Sequence, residues 1–505
     1  MATKRSSSPR FSRQALNMII LITSILILVS LTLPGSKEAL QQQALTSKPI
    51  SETDNAELFA ENEDSNTLKS LDIIASKPVK PHQIDIQSWA TQKGAKVLFV
   101  ESREVPMVDI RLVFNAGSAR DGTQPGLARF TNSMLNEGTD NYSVDDIARH
   151  FESLGANFSN GSYRDMAMVS LRTLSDKKFL DKALDLFYEI ISAPSFPKDS
   201  IERIRKQLLI SLEHQKQRPD KIASGAFYQA LYEQHPYGIP PEGTDDSLKS
   251  MTQSDLANFY QRYYVASNLV IAIVGDITTE QAKAIANQID TVLSAGAPAS
   301  RLPTPADTAN KTLHKVFSST QSHVLMGTSS IQRNDPTRYA LTVGNEILGG
   351  GGFASRLNKV IRQDKGLAYS VYSYFSAMAA NGPFIMGLQT RNDQRQQALD
   401  LMRQTLIQFM NEGPTEQELN DAKENIINSF PLSIASNSSM VGNLGAIGFY
   451  DLPLDYLDQY LSHIEKVTVA DIKKAFAKAV DPDQLVTITV GPAAPTGTNK
   501  TPSQQ

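Results

Sequence analysis

One sequence pattern occurs twice in this chain and limits the folds that are possible. Residues 267–276 form an apolar run that stops at glycine, and residues 483–492 have the same form. A helical pattern precedes each run, at residues 256–264 and 469–479. Self-similarity at such a long spacing indicates a duplicated domain. With 505 residues the chain is also longer than one core comfortably fills, so we expect two or more domains.

Each copy of the repeat also carries amphipathic helices in its middle. They are predicted at residues 144–154, 177–191, 198–217, 394–411 and 415–429. Strands mixed with helices of this length predict an α+β fold, in which helices cover one face of a mainly antiparallel sheet. We therefore expect two homologous α/β-sandwich domains, at residues 82–293 and 309–491. The Pro-, Ala- and Ser-rich residues 294–308 predict a linker between them.

The N-terminal sequence predicts that the chain is targeted to a membrane. Basic residues precede an apolar run at residues 18–33, whose length is at the short end for a spanning helix and at the long end for the apolar region of a signal peptide. The basic flank predicts that residues 1–36 are a cytoplasmic segment and signal anchor, with the bulk of the chain outside. We expect a bacterial inner-membrane protein facing the periplasm. The alternative is secretion to the periplasm after cleavage of the signal.

Composition excludes several other classes. Residues 37–81 are rich in Gln, Ser, Glu and Asp and predict a disordered tether, and residues 492–505 predict a disordered tail. The net charge of −4 gives no support for binding nucleic acid. The absence of cysteine excludes disulfides and thiol chemistry.

A stretch near residue 130 has a recognisable order of landmarks. An apolar strand ends in the sequence NAGSAR at residues 115–120, and Gly126 then opens a helix that stops near Gly138. Leu127, Phe130 and Met134 form its apolar stripe. This arrangement resembles the pitrilysin/insulinase family of zinc peptidases, the inverzincins. Their helix carries H-x-x-E-H, in which two imidazoles bind zinc and the Glu is the general base.

The resemblance places each position of that motif on an unsuitable residue. The first His corresponds to Arg129, the Glu to Asn132 and the second His to Ser133. The third zinc ligand, a Glu on a later helix, corresponds by spacing to Ile210. A guanidinium is always charged and has no lone pair for a metal. We therefore expect no catalytic residue and no bound metal in this chain.

Two further hypotheses concern these positions. Arg129 could fill the place of the zinc with its charge and pair with Glu137 or Asp121. A different metal site could be assembled from distant residues, for instance Glu137, His150 and His214, although the spacing does not support it. No two of the seven histidines stand three or four residues apart, so a local zinc helix is excluded.

Four consecutive glycines at residues 349–352 form a landmark in the second copy. Glycine N–H groups can approach an anion, so a phosphate loop is one interpretation. The run lacks the GK[ST] ending and a preceding strand, which favours a helix-capping turn.

An Arg and a Tyr seven residues apart follow the glycine run. In the family that this chain resembles, such a pair reaches across the cavity and positions the substrate's peptide group. The match here is Arg362 and Tyr369. A guanidinium and a phenol can hold a peptide carbonyl and help stabilise an oxyanion. From the residues alone, the alternative is that Arg362 pairs with Asp364 or Glu346 and that Tyr369 packs at a strand start.

The resemblance covers roughly residues 84–491 and implies two similar α+β domains that form a clamshell around a cavity. Some bacterial and mitochondrial members divide the work between two chains, one with the zinc helix and one with the Arg/Tyr pair. We expect this chain to be the second kind: a catalytically silent, peptide-binding subunit of a heteromeric zinc metalloendopeptidase. The zinc is then expected in a homologous partner subunit. The alternative is a peptide-binding or scaffold protein with no proteolytic role.

Overall fold

The computed structural model describes residues 84–493. The predicted anchor at 18–33, the tether at 37–81 and most of the tail at 492–505 lie outside these residues. None of the helices within 84–493 has the length and apolar character needed to cross a membrane. We call residues 84–293 the first half, residues 311–493 the second half and residues 294–310 the connecting stretch.

The structure contains eleven strands and fourteen α-helices between residues 84 and 493. The strands are β1 (Gln87–Ala90), β2 (Lys96–Glu101), β3 (Met107–Phe114), β4 (Asn157–Ser162), β5 (Ala167–Leu174), β6 (Leu269–Gly275), β7 (Lys311–Val316), β8 (Gln321–Ser329), β9 (Ala368–Phe375), β10 (Pro383–Arg391) and β11 (Val486–Gly491). Two π-helical turns, Glu346–Gly350 and Asn358–Asp364, lie before β9.

The first half holds eight of the α-helices and the second half holds six. They are α1 (Leu127–Ser133), α2 (Val144–Leu154), α3 (Lys177–Ser192), α4 (Lys198–Lys216), α5 (Pro219–Tyr232), α6 (Asp245–Ser250), α7 (Gln253–Tyr263), α8 (Thr279–Val292), α9 (Arg338–Asn345), α10 (Arg395–Glu412), α11 (Glu416–Ile434), α12 (Asn437–Phe449), α13 (Tyr456–Lys466) and α14 (Val469–Ala479). The five predicted mid-copy helices correspond to α2, α3, α4, α10 and α11, and are confirmed.

The five strands of the second sheet follow the same order as five of the six strands of the first, and β1 has no counterpart. The first sheet runs β1-β2-β6-β3-β5-β4 and the second runs β7-β11-β8-β10-β9. All neighbouring strands are antiparallel except β2 with β6 and β7 with β11, which are parallel in both sheets. The two repeated segments of the sequence are β6 and β11, which occupy the same place in their sheets. The prediction of a mixed α/β protein with two mainly antiparallel sheets is therefore confirmed.

Helix ends follow local chemistry. Ser143 and Asp146 form a capping box at the start of α2, and Gly155 ends that helix with a φ of 63°. Thr468 and Asp471 form the same box at the start of α14. Such short-range signals explain why the bounds of α2 agree with the prediction, residues 144–154.

One helix from each half packs on the sheet of the other half. Helix α12 covers β6 and β3 of the first sheet, and α5 covers β11 and β8 of the second. The apolar side chains of α12 and the first sheet share one core cluster, and those of α5 and the second sheet share another. Gly448 allows the close approach of α12, because a Cβ there would clash with Val270. The two halves consequently belong to one compact unit.

The connecting stretch contains no helix or strand. Its Leu302 packs on the cluster that α5 forms with the second sheet. The predicted linker at residues 294–308 is thus irregular in structure. The domain bounds themselves, 82–293 and 309–491, stay predictions from the sequence.

Candidate functional site

Helix α1 carries the positions that correspond to the zinc motif. Its apolar stripe is buried as predicted, since Leu127, Phe130 and Met134 all lie in the first core cluster. Gly126 adopts a φ of 89° immediately before the helix, a left-handed conformation that favours glycine. The Asp121 carboxylate accepts hydrogen bonds from two backbone N–H groups at the start of α1, each at 2.7 Å. These contacts fix the helix against its own core.

Asn132, the predicted counterpart of the general base, is 2% exposed. Its Nδ2 donates to the Tyr264 hydroxyl oxygen at 3.1 Å and to the Met168 carbonyl at 3.3 Å. Burial raises the pKa of the Tyr264 phenol, so this group stays neutral at physiological pH. A carboxamide cannot accept a proton at such a pH. The Asn132 side chain is therefore a neutral, hydrogen-bonded part of the packing around α1.

The side chains at the two His positions are not brought together as ligands. The Ser133 hydroxyl donates to the Arg129 carbonyl at 2.9 Å, a bond within the helix. Arg129 is half-buried, and the hypothesis that it pairs with Glu137 or Asp121 is wrong. Glu137 forms an ion pair with Arg203, and Asp121 is held by the start of α1. Both carboxylates are thus engaged by other donors.

Ile210 lies on α4 with 58% of its surface exposed, so its side chain is not buried against α1. Its correspondence to the third ligand remains a prediction from spacing. The alternative site built from Glu137, His150 and His214 is wrong. The His150 ring binds the carbonyl of its own helix at Asp146. No group of three or more His, Asp or Glu side chains within residues 84–493 is placed to hold a metal.

The second predicted pair is brought together. Arg362 lies in the second π-helical turn and Tyr369 lies in β9. The guanidinium carbon of Arg362 is 4.9 Å from the centroid of the Tyr369 ring and 4.4 Å from that of Phe353. Both distances are within the range of cation–π attraction. Phe353 was not singled out by the sequence analysis, since its position after the glycine run carries no signal for this contact.

This arrangement is open to solvent. Tyr369 is 79% exposed and Phe353 is 65% exposed. The interpretation that Arg362 pairs with Asp364 or Glu346 is wrong, since no carboxylate of the described chain forms an ion pair with it. Glu346 instead accepts a hydrogen bond from an Asn side chain of α11.

A bulge in β9 explains why Tyr369 does not pack at the strand start. Thr390 of β10 pairs with Ala368, whereas the preceding Gln389 pairs with Ser370. Tyr369 is therefore an extra residue in the ladder. Bulges commonly re-aim a side chain near functional sites.

The glycine run before this pair is a packing feature. A Cβ on Gly349 would lie 2.5 Å from the Ser373 hydroxyl of β9. Gly352 has a φ of 57°, which also favours glycine. The run thus lets the end of the helical segment approach β9 closely, as expected of a capping turn.

The open edge of the second sheet is occupied by side chains. Asn358 Nδ2 donates to the Val371 carbonyl at 2.9 Å, and Asn345 Nδ2 donates to the Ser373 carbonyl at 3.1 Å. These two carbonyls are two residues apart on β9, so they face the same side of the strand. Both amides therefore cover the edge that β10 leaves free.

The corresponding edge strand β4 differs. No side chain between residues 84 and 493 donates to a carbonyl of β4. Asn160 of β4 donates to the Asn132 carbonyl at 2.8 Å, which places this edge beside α1. The sequence analysis missed β4, because its sequence NFSNGS has no apolar alternation.

Comparison with known proteins identifies the family. The description "Insulinase (Peptidase family M16)" matches residues 96–245, and "Peptidase M16 inactive domain" matches residues 250–426. The crystal structure of a peptidase M16 inactive domain from Pseudomonas fluorescens is 43% identical, with a TM-score of 0.79, and the match covers 81% of this chain and 99% of that one. The chain belongs to the M16 peptidase family, which confirms the predicted resemblance.

Proteins of lower sequence identity also match most of this chain. The "Non-peptidase homolog YmxG" of Helicobacter pylori is 28% identical over 394 residues, covering 77% of this chain and 89% of the relative. The "Uncharacterized zinc protease YmxG" of Bacillus subtilis is 26% identical, with coverages of 71% and 87%. A protease from Helicobacter pylori shares the fold, with a TM-score of 0.73, 19% identity and coverages of 81% and 100%.

The residues at the motif do not fit zinc. A buried amide, a hydroxyl bonded within its helix and a guanidinium stand at the positions that the resemblance assigns to the base and the two His ligands. The chain is thus an inactive homologue within a family of peptidases.

Proposed function

We propose that this chain is the catalytically silent, peptide-binding subunit of a heteromeric zinc metalloendopeptidase and completes the active site of a homologous, zinc-bearing partner. The observation that carries the proposal is the contact between half-buried Arg362 and exposed Tyr369, with 4.9 Å between the guanidinium carbon and the ring centroid. Because the Tyr369 ring is 79% exposed and the neighbouring Phe353 is 65% exposed, the pair is accessible to a ligand.

The chemistry of the pair suits a substrate carbonyl. Contact with two ring faces uses none of the guanidinium N–H donors, so Arg362 keeps its hydrogen-bonding capacity. The stacking also fixes a long side chain before substrate arrives, which lowers the entropy lost on binding. A fixed cation and a phenol can stabilise the charge that develops on a carbonyl oxygen.

The open edge of β4 supports the peptide-binding part of the proposal. Extended peptides bind by adding a strand to a free sheet edge. β4 contains no Lys or Pro, the residues that commonly protect such edges. This observation equally favours the second candidate, a protein that holds peptides without any proteolysis.

The deciding experiment measures zinc content and peptide cleavage for the purified full chain, alone and mixed with a homologue that carries an intact H-x-x-E-H. We expect no zinc and no cleavage with the chain alone, and cleavage in the mixture. Arg362→Ala or Tyr369→Phe should lower the rate of the mixture by about 10²-fold, typical of losing one oxyanion donor.

The matched control is Arg391→Ala, which removes an exposed arginine of the same half that pairs with Asp393. It should leave the rate unchanged. Zinc and cleavage in the chain alone would overturn the proposal. A silent mixture that still binds peptide would favour the second candidate.

We further propose that residues 18–33 anchor the chain in the bacterial inner membrane, with residues 84–493 in the periplasm. The support is the apolar run behind a basic flank. Carbonate extraction of membranes tests the anchor, and an anchored chain stays in the pellet. Release of the intact chain into the soluble fraction would contradict it.

A further inference from the structure

A polar cleft of about 420 Å³ lies where the two halves meet the connecting stretch. Three arginines line it, one from each of these segments: Arg120, Arg301 and Arg333. Arg120 follows β3 and Arg333 follows β8, and these strands occupy the same place in the two sheets. Two of the three cations therefore come from corresponding loops of the duplicated fold.

The arginines lack acidic partners. No carboxylate among residues 84–493 forms an ion pair with any of the three guanidinium groups. Arg120 Nε and Nη2 donate to the neutral Asn115 Oδ1, at 3.1 and 2.8 Å. The Nε of Arg333 is buried without a hydrogen-bond acceptor. Asp451 is the one carboxylate in the lining, and its Oδ1 already accepts from Lys96 at 2.7 Å.

One buried carboxylate lies behind the cleft and offsets part of the charge. Asp165 accepts hydrogen bonds from the Tyr237 and Tyr450 hydroxyls and from the Ala379 N–H. Asp165 also attracts Arg120. Burial lowers the pKa of Arg120, which shows the cost of keeping this cation away from water.

The cleft and the carboxylate behind it together carry an excess of positive charge. Three guanidinium groups against one buried carboxylate amount to about two uncompensated positive charges, with Arg120 and Arg333 half-buried and Arg301 exposed. The two half-buried cations, Arg120 and Arg333, are unfavourable without a counter-charge, so an anion that joins them is stabilising.

We infer that this cleft binds a phosphate group. A phosphate monoester carries a charge of about −1.5 to −2 and three strong acceptor oxygens, which match the excess charge and the guanidinium forks. A single carboxylate would leave half of the excess uncompensated. Met378, Phe449 and Tyr450 add apolar wall, so the cleft has room for an organic group attached to the phosphate. The inference does not depend on the proposed peptidase partnership.

Calorimetric titration of the full chain at low ionic strength tests this assignment. The probes are inorganic phosphate, pyrophosphate and adenosine monophosphate, with acetate as the singly charged comparison. We expect the phosphate compounds to bind and acetate to fail. Binding of adenosine monophosphate that is tighter than that of inorganic phosphate would identify the ligand as a phosphate ester. Equal binding would identify the free anion.

Single substitutions test whether the phosphate compounds bind in this cleft. Arg301→Gln removes an exposed cation of the connecting stretch and should weaken binding about tenfold or more, typical of one charge-assisted contact. Arg120→Gln should act in the same direction. The control Arg149→Gln removes an exposed arginine on α2 that pairs with Asp146, and should leave binding unchanged. Absence of binding at millimolar phosphate, equal binding of acetate, or equal effects of Arg301→Gln and Arg149→Gln would overturn the assignment.

Discussion

The edge strands β4 and β9 occupy the same place in two sheets that share the order of five strands, yet they present different chemistry. β9 has two of its carbonyls covered by Asn345 and Asn358, and offers the side chains of a stacked Arg–Tyr pair nearby. β4 leaves its backbone edge uncovered by side chains of the described residues, and it lies next to α1, which carries the predicted motif positions. The two copies of the fold thus share the order of five strands but have different edge strands. The edge at β9 presents side chains to solvent, whereas the edge at β4 presents backbone groups.

A second contrast concerns two ion pairs. Each one connects a loop near a predicted site to a long helix of the same half. In the first half, Glu137 follows α1 and pairs with Arg203 of α4. In the second half, Arg356 follows the glycine run and pairs with Glu418 of α11. The two pairs make the same kind of connection with the charges reversed, since the acidic residue lies on the loop in the first half and on the helix in the second.

The largest expected effect comes from opening the edge of β9. Asn358→Asp replaces an amide donor by a carboxylate at a side chain that is 5% exposed and faces the Val371 carbonyl. Loss of the bond and burial of a charge should lower the free energy of unfolding by about 3 kcal/mol. Urea denaturation of the parent chain and the variant measures this difference in the free energy of unfolding. The control Asn287→Asp, exposed on α8, should change it by less than about 0.5 kcal/mol. If Asn358→Asp and Asn287→Asp lowered the free energy of unfolding equally, the hydrogen bond from Asn358 to β9 would make no measurable contribution to stability.

The next effect concerns the open edge of β4. Tyr163 N–H donates to the Met166 carbonyl, so the neighbouring Ser162 turns its N–H away from the sheet. Ser162→Pro removes that outward donor, and proline is tolerated on edge strands. Peptide binding, followed by fluorescence polarisation, should weaken about tenfold. Ser162→Ala keeps the N–H and should bind normally. Unchanged binding by the proline variant would exclude β4 as the docking edge.

The smallest effect tests the ion pair of the second half through pH. Arg356 Nε and Nη2 donate to the Glu418 carboxylate at 2.7 and 2.6 Å and lower its pKa from 4.5 to about 2. Because folding favours the ionised form, this stabilisation is present above pH 4.5 and is lost as the pH falls towards 2. The pair is partly exposed, so we expect Glu418→Gln to cost about 1 kcal/mol at pH 7.

The difference between the parent chain and Glu418→Gln should therefore shrink below about pH 4, measured by urea denaturation across the pH range. Glu416→Gln is the control, because that exposed residue lies in the same helical turn and has no ion-pair partner in the described structure. A constant difference from pH 7 to pH 3 would show that the ion pair is not its source.

Much of the fold follows from short-range patterns in the sequence. Apolar periodicity indicated the helices and the repeated strands indicated the duplication, because both signals can be recognised in the sequence without knowledge of tertiary contacts. The same holds for the altered motif at Arg129, Asn132 and Ser133, which is read directly from residue types. The spacing between Arg362 and Tyr369 also sufficed to select a pair that the structure brings into contact.

Only the tertiary structure decided what surrounds these residues. Asn132 binds the hydroxyl of Tyr264, which lies 132 residues further along the chain. Arg362 contacts Phe353 as well as Tyr369, and three arginines from separate segments meet in one cleft. The sequence by itself determined which groups are available. Their burial and partners depend on contacts between distant segments, above all the packing of α5 and α12 on each other's sheets, and local patterns carry no record of such contacts.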